Sequence, residues 1–84
     1  MAKQQPIAQV RIGAIRAAIW KNEGGDRARY NVTFQRLYKD GDQWKSSESF
    51  GRDDLLVLAK VADLAHTRIF EMQEEAREEV REAE

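Results

Sequence analysis

The sequence predicts an α+β fold, in which residues 7–50 form an antiparallel sheet and residues 52–72 form a helix packed on one of its faces. Residues 7–50 contain runs in which apolar and polar side chains alternate, as in half-buried strands. Glycine-containing segments separate these runs, as expected at hairpin turns. From residue 52 onward, apolar residues recur at steps of three and four, the period of an amphipathic helix. The 84 residues leave room for a single domain, 1–84.

The first apolar run extends over residues 7–21 and is interrupted by Gly13. Its β-branched residues favour a strand over the amphipathic helix that its alanines would also allow. Gly13 then marks a bulge or a sharp bend, so that the run forms either one long bent strand or two short ones. Beyond Gly13, isoleucines and an alanine at odd positions alternate with a second set that includes Arg16 and Trp20. The pattern predicts that Arg16 and Trp20 face away from the core.

The clearest strand pattern covers residues 29–38 and follows an Asn-Glu-Gly-Gly-Asp turn at residues 22–26. The next segment, Lys39-Asp40-Gly41, suits a three-residue hairpin loop with the glycine in the left-handed conformation. This loop length predicts that Trp44 faces the core. It places Lys45 on the opposite face of the sheet.

The helix is predicted to begin at about Arg52, with Gly51 as its N-cap and acidic residues in its first turn. Its apolar stripe is widest over residues 52–72, which we expect to pack on the sheet. Residues 73–84 are mostly charged and form a helical extension, a short contact with a partner chain, or a frayed tail. Residues 1–6 are expected to be a flexible N-terminus.

The net charge of −1 conceals an uneven distribution. Residues 1–45 contain nine Lys/Arg and four Asp/Glu, a balance of +5. Residues 46–84 contain five Lys/Arg and eleven Asp/Glu, a balance of −6. A basic half is typical of a protein with an anionic partner, although a long exposed helix is also commonly rich in Glu.

The chain contains no cysteine, which excludes disulfides and thiolate metal sites. No apolar run approaches the ~20 residues that a membrane-spanning helix needs, and residues 1–6 contain no apolar segment of a signal peptide. We therefore expect a cytoplasmic protein, either free or associated with the nucleoid.

The side chains that support catalysis in other proteins do not form a recognisable site here. His66 lies in the middle of the predicted helix, with no second His and no Cys as a co-ligand. Asp53 and Asp54 are neighbours on a helix, so they point about 100° apart and are explained as first-turn residues. The Gly24-Gly25 pair lacks the Lys-Ser/Thr of a P-loop. We therefore expect no enzyme activity, no cofactor and no metal.

The sheet face opposite the helix contains the residues that best indicate a function. Cations there would contact phosphates, Trp20 would offer a ring on which a base can stack, and amides would bond base edges. The alternative is that Trp20 is covered by the glycine turn or by a second subunit, and that the arginines only keep the surface soluble. The predicted nucleic-acid-binding residues are Arg11, Arg16, Trp20, Lys21, Arg29, Asn31, Thr33, Gln35 and Lys45.

The order and spacing of several segments, none of them diagnostic alone, add a resemblance to a known family. These segments are Val10-Arg11-Ile12-Gly13, the strand at residues 15–20, the Gly24-Gly25 turn, the strand at residues 30–38 and Lys39-Asp40-Gly41-Asp42. Over about residues 8–70, the chain resembles the single-stranded-DNA-binding core of the positive cofactor 4 (PC4) family of transcriptional coactivators. The resemblance extends to the short bacterial and phage relatives of that family and to the Whirly proteins.

The resemblance implies a curved four-stranded antiparallel sheet with its first run split at Gly13, one helix on the convex back, and a homodimer. It also implies that single strands cross the basic face. Trp20 and Lys21 match the aromatic-basic end of the family's second strand, and Arg36 and Tyr38 match the Arg and Tyr of the third. The last strand departs from the family, because it has one cation and one acid where the coactivators are rich in Lys, Arg and Gly. That departure bears on affinity more than on fold.

We therefore predict a homodimer that binds single-stranded DNA or RNA with little sequence specificity, in transcription, replication or repair. An alternative from another class is a protein–protein interaction module that docks through the acidic C-terminal helix, with Ala76, Val80 and Ala83 as its seam. A small-ligand-binding or phage-type accessory protein is also compatible with the sequence.

Overall fold

The computed structural model describes residues 5–24 and 27–83, and it describes side chains for residues 5–22 and 29–76. It has the predicted α+β architecture, an open four-stranded antiparallel sheet followed by one long helix. The strands follow one another across the sheet in chain order. The elements are Ala8–Ile12 (β1), Ile15–Gly24 (β2), Arg27–Asp40 (β3), Gln43–Ser47 (β4), a 3-10 turn at Arg52–Asp54 and the helix Leu55–Ala83 (α1).

Parts of three predicted segments lie outside the described residues. They are residues 1–4 of the predicted flexible N-terminus, Gly25 and Asp26 of the predicted glycine turn, and Glu84 at the end of the predicted tail.

A tight turn connects β1 to β2. Ile12 pairs with Ile15, so the turn contains only Gly13 and Ala14. Gly13 has a φ of +57°, a conformation that is sterically costly for a residue with a Cβ atom. Of the two predicted alternatives, the first run therefore forms two strands, and Gly13 lies in the reversal between them and not at a bulge or a bend within one strand.

The turn between β3 and β4 is one residue shorter than predicted and begins two residues later. Asp40 pairs with Gln43, so the loop consists of Gly41 and Asp42 and has two residues instead of three. Gly41 has a φ of +62° and occupies the first central position, as the glycine of a type II′ turn does. The predicted left-handed glycine is correct, but the predicted loop length is wrong.

The shorter loop reverses the faces predicted for β4. A shift of strand pairing by an odd number of residues moves every side chain to the opposite face of the sheet. Trp44 pairs with Lys39, whereas Lys45 pairs with Tyr38, which alternates in step with the core residue Val32. Trp44 therefore projects away from α1 and Lys45 projects to the same side as α1, which contradicts the prediction for both.

The core lies between β2 and the first half of α1. Ile15, Ala17 and Ile19 project from β2 toward the helix, and Val61 and Ala65 project from the helix toward them. All five residues are buried. Fully burying an isoleucine or valine side chain is worth about 1.5–3 kcal/mol, so these contacts hold the helix on the sheet. We call the side of the sheet that bears Ile15, Ala17 and Ile19 the helix-side face.

A small polar network fixes the connection from β4 to α1. Arg36 Nε donates a hydrogen bond of 3.0 Å to the carbonyl oxygen of Ser49 and lies 3.7 Å from Asp54 Oδ2. The same carboxylate oxygen accepts a hydrogen bond of 2.9 Å from the backbone N–H of Gly51. Because the Arg36 and Asp54 side chains are each about one-third exposed, their ion pair stabilises the fold only modestly.

The helix α1 begins at Leu55, after a 3-10 turn at Arg52–Asp54 where the sequence predicts its first turn. Met72 is the last residue with a described side chain that packs on the core. Beyond it the helix continues to Ala83. On the side of the helix that the sheet does not cover, Leu56 and Phe70 are 85% and 57% exposed.

Candidate nucleic-acid interface

Strand register assigns each described strand residue to one of the two faces of the sheet. Residues opposite each other in an antiparallel pair project to the same side, and neighbours along a strand project to opposite sides. The side away from α1, here called the open face, therefore consists of alternate residues on all four strands. Those with described side chains are Gln9, Arg11, Arg16, Ala18, Trp20, Asn22, Arg29, Asn31, Thr33, Gln35, Leu37, Lys39, Trp44 and Ser46.

The open face is basic, although the protein as a whole is not. It carries Arg11, Arg16, Arg29 and Lys39, and no Asp or Glu among its residues with described side chains. The whole chain has 15 Asp and Glu against 14 Lys and Arg. A ligand on the surface responds mainly to charges within about 10 Å at ordinary ionic strength, so this local segregation matters more than the net charge.

The Trp20 side chain extends along the open face, toward β3. Its Nε1–H donates a hydrogen bond of 2.9 Å to Thr33 Oγ1, although its direct partner on β3 is Asn31. Ala18, the direct partner of Thr33, projects to the same face and is only 7% exposed, as expected for a small residue beneath larger neighbours. The hydrogen bond satisfies the indole N–H and fixes the orientation of the ring.

A row of polar residues crosses three strands beside Trp20. Arg11, Arg16 and Gln35 are successive cross-strand partners on β1, β2 and β3. Arg16 Nη2 donates a hydrogen bond to Gln35 Oε1, and Arg11 Nε donates one of 2.8 Å to the carbonyl oxygen of Gly13. These bonds hold both guanidinium groups at the sheet.

Two features of this row favour the binding of an anion. Arg11 and Arg16 lie directly opposite each other, and like charges at such positions destabilise a sheet. Arg16 Nε is buried and has no hydrogen-bond partner within the described residues. A buried donor without an acceptor costs about 1–3 kcal/mol, so Arg16 gains from any rearrangement that presents Nε to an oxygen atom.

The structure places seven of the nine predicted residues on the open face and does not bring the other two together with them. Lys21 pairs with Tyr30 and Lys45 pairs with Tyr38, so both lysines project to the helix-side face. Lys45 Nζ also lies 2.9 Å from Asp40 Oδ2, which balances its charge locally. The seven on the open face are Arg11, Arg16, Trp20, Arg29, Asn31, Thr33 and Gln35.

Sequence reasoning did not include Trp44 and Lys39 among the binding residues, although both lie on the open face. They are direct cross-strand partners, and Trp44 is 67% exposed. The nearest local signal is the Gly41-Asp42 pair, which suits a two-residue loop but does not exclude the three-residue loop Lys39-Asp40-Gly41.

Arg36 and Tyr38, the pair that the resemblance assigns to the third strand, do not lie on the open face. Arg36 Cζ is 5.6 Å from the centroid of the Tyr38 ring, within the range of a cation–π contact. Both residues belong to the helix-side face, and Arg36 also bonds Ser49. They therefore support the connection to α1 and are not part of the open face.

Among the side chains described, those of residues 5–22 and 29–76, no cluster of three or more His, Cys, Asp or Glu is arranged to hold a metal ion. No helix within residues 5–24 and 27–83 is long and apolar enough to cross a membrane. Comparisons of the chain with protein-family models, with curated proteins and with solved structures find no significant match.

Proposed function

We propose that this protein binds single-stranded nucleic acid, and single-stranded DNA in the first place, on the open face of its sheet. The composition of that face supports the proposal most directly. It combines four cations with a tryptophan held by a hydrogen bond and with several amides, and its described side chains include no acid. A surface that only keeps a protein soluble carries interspersed charges of both signs.

The cations would supply affinity without sequence preference. Each Lys or Arg that neutralises a phosphate releases condensed counterions, so the logarithm of the binding constant falls with that of the salt concentration by about 0.7 per contact on a single strand. A phosphate between Arg11 and Arg16 would also relieve the repulsion between these direct cross-strand partners.

Trp20 suits a single strand better than a duplex. A base must expose one of its faces to stack on an indole ring, and inside a duplex neighbouring bases cover both faces. Stacking on an aromatic side chain is worth about 1–3 kcal/mol per base and tolerates any base. Asn31 and Gln35 add donors and acceptors for base edges. The result would be binding with low sequence specificity.

We propose that the protein acts as a homodimer in the cytoplasm, in transcription, replication or repair. Leu55, Leu56 and Phe70 are at least half exposed on the side of α1 away from the sheet. Leu56 and Phe70 are about 21 Å apart along the helix, and we propose that a second copy of the chain covers both positions. Binding of this kind needs neither a cofactor nor a catalytic group, and we propose no enzyme activity.

Fluorescence anisotropy tests the proposal. A labelled oligo-dT of about 20 nucleotides is titrated with the full chain at about 50 and 200 mM salt, with an unlabelled duplex of equal length as competitor. We expect binding that prefers the single strand and weakens steeply at the higher salt concentration. No binding at the lower salt concentration, or equal competition by the duplex, contradicts the proposal.

A second candidate function is docking of a protein partner through the acidic C-terminal part of α1. It is favoured by the continuation of the helix beyond Met72, the last described side chain in the core. The residues predicted to contact such a partner are Ala76, Val80 and Ala83, and the side chains of Val80 and Ala83 lie outside the described residues. Deleting residues 73–84 discriminates between the two functions, because it would abolish docking and leave nucleic-acid binding unchanged or stronger.

A further inference from the structure

We propose that the open face contains two stacking platforms, Trp20 and Trp44, which one nucleic-acid strand contacts at the same time by crossing β3. This inference rests on the proposed function and adds to it a second stacking residue and a minimum ligand length. It is supported by the exposure of Trp44, by the register of the sheet and by the residues that lie between the two rings.

Trp44 has the properties of a stacking residue. It is 67% exposed, more than Phe70 or Tyr38, whereas tryptophan side chains are on average largely buried. Its direct partner on β3 is Lys39, so a cation lies beside the ring. Trp20 has a comparable neighbour, because Arg29 is two residues from its partner Asn31 and projects to the same face. Both rings thus lie beside a cation on a face whose described side chains include no acid.

The register fixes the separation of the two rings. Trp20 lies beside Asn31 on one side of β3, and Trp44 lies beside Lys39 on the other. Eight residues of a strand cover about 26 Å, and two strand spacings add about 9.6 Å at right angles to that. The two backbone positions are therefore roughly 28 Å apart along a diagonal of the open face.

The residues between the platforms suit a polyanion. Along β3 the path passes Thr33, Gln35 and Leu37 on the open face. Arg16 lies opposite Gln35 and donates a hydrogen bond to it, so a third cation is placed near the middle of the path. A strand that follows this diagonal meets a ring and a cation at each end and a cation between them.

Two separated platforms make affinity depend on ligand length. At the 3.4 Å rise per nucleotide of a stacked strand, 28 Å corresponds to about eight nucleotides, and to fewer if the strand is stretched. A shorter oligonucleotide contacts one ring at a time. A longer one contacts the second ring in an intramolecular step, which raises its affinity without any new type of contact.

The experiment is an anisotropy titration with labelled oligo-dT probes of about 4 to 16 nucleotides, a range that spans the expected footprint. The proteins are the unaltered chain, Trp20→Ala, Trp44→Ala, the double variant and Trp44→Phe. For probes of about 12 nucleotides we expect Trp44→Ala to lower affinity by about five- to one-hundred-fold, and Trp44→Phe to restore most of it. For probes of four nucleotides the loss is at most about twofold, because either ring can hold such a probe.

Other results of these titrations would lead to different conclusions about the two proposals. If no probe binds the unaltered chain, the proposed function fails and this inference fails with it. If probes bind but Trp44→Ala has the same affinity as the unaltered chain at every length, Trp44 is not a platform, while the proposed function stands. An equal loss at all lengths contradicts the two-platform footprint. Light scattering is recorded for each variant, and a changed molar mass in Trp44→Ala would assign Trp44 to a subunit contact and overturn the proposal.

Discussion

The two faces of this sheet are built from the same strands and have opposite chemistry. On β2, Ile15 and Ile19 project toward α1 and are buried, whereas Arg16 and Trp20 project to the open face and engage side chains of β3. The helix covers only the first of these faces. Because one helix covers a single face of the sheet, alternation along one strand separates the residues that stabilise the fold from those available to a ligand.

The separation predicts that substitutions fall into two classes, and the largest effect belongs to the helix-side face. Ile19 is fully buried against Val61 and Ala65, so Ile19→Ala leaves a cavity and should lower the free energy of unfolding by about 2–5 kcal/mol. Asn31→Ala, at an exposed position on the open face, is the control and should change the free energy of unfolding by less than about 0.5 kcal/mol. Urea denaturation followed by circular dichroism measures both, and equal effects would contradict the assignment of the faces.

The largest effect on binding belongs to Trp20. Trp20→Ala should lower the affinity for oligo-dT by about 1–3 kcal/mol while the thermal unfolding midpoint changes little. Thr33→Val keeps the shape of the side chain but removes the oxygen that accepts the indole hydrogen bond, so it should cause a smaller loss. Tyr38→Ala is the control, because it removes a partly exposed ring from the helix-side face. If Tyr38→Ala weakens binding as much as Trp20→Ala does, the open face is not the binding surface.

A matched pair of lysines tests the register of β4. Lys39 and Lys45 both lie next to Trp44, one across the strand pair and one along the strand, but they project to opposite faces. Lys39→Ala should reduce the slope of log affinity against log salt by about 0.7 to 1, whereas Lys45→Ala should leave it unchanged. Arg16→Ala should resemble Lys39→Ala. A slope that depends on Lys45 and not on Lys39 would contradict the observed pairing.

The smallest effect concerns the end of α1. Residues 73–84 contain six Glu and two Arg, and they follow the last described residue that packs on the core. Their removal should leave the unfolding midpoint nearly unchanged, and it should raise affinity for oligo-dT slightly at low salt because negative charge is lost. A clear loss of affinity would place this segment in the binding site.

The fold was predictable because its signals are local. Alternation over residues 29–38 and the three-and-four spacing of the helix each require one face to be apolar, and the core has both patterns. In the sequence, Gly13 marks an interruption of the first run. Whether it bends one strand or reverses the chain depends on pairing between strands, which a pattern along one strand does not contain.

The candidate site was predictable on β2 and β3 but not on β4. Arg16, Trp20 and Gln35 lie on strands whose faces are fixed by many alternating residues. The face of Trp44 and Lys45 depends on the length of one loop, and the segment Lys39-Asp40-Gly41-Asp42 is compatible with a loop of two or of three residues. With the observed two-residue loop Trp44 lies on the open face, whereas the three-residue loop would place Lys45 there instead.

The measurement that tests the central claim most directly is nuclear magnetic resonance of the protein titrated with oligo-dT. The chain has two tryptophans, and both lie on the open face, so their indole N–H signals report on that face alone. The methyl groups of Ile15 and Ile19 report on the helix-side face. We expect both indole signals to shift with added oligonucleotide while these methyl signals stay in place. Binding that shifts the methyl signals and leaves the indole signals unchanged would contradict the assignment of the nucleic-acid interface to the open face.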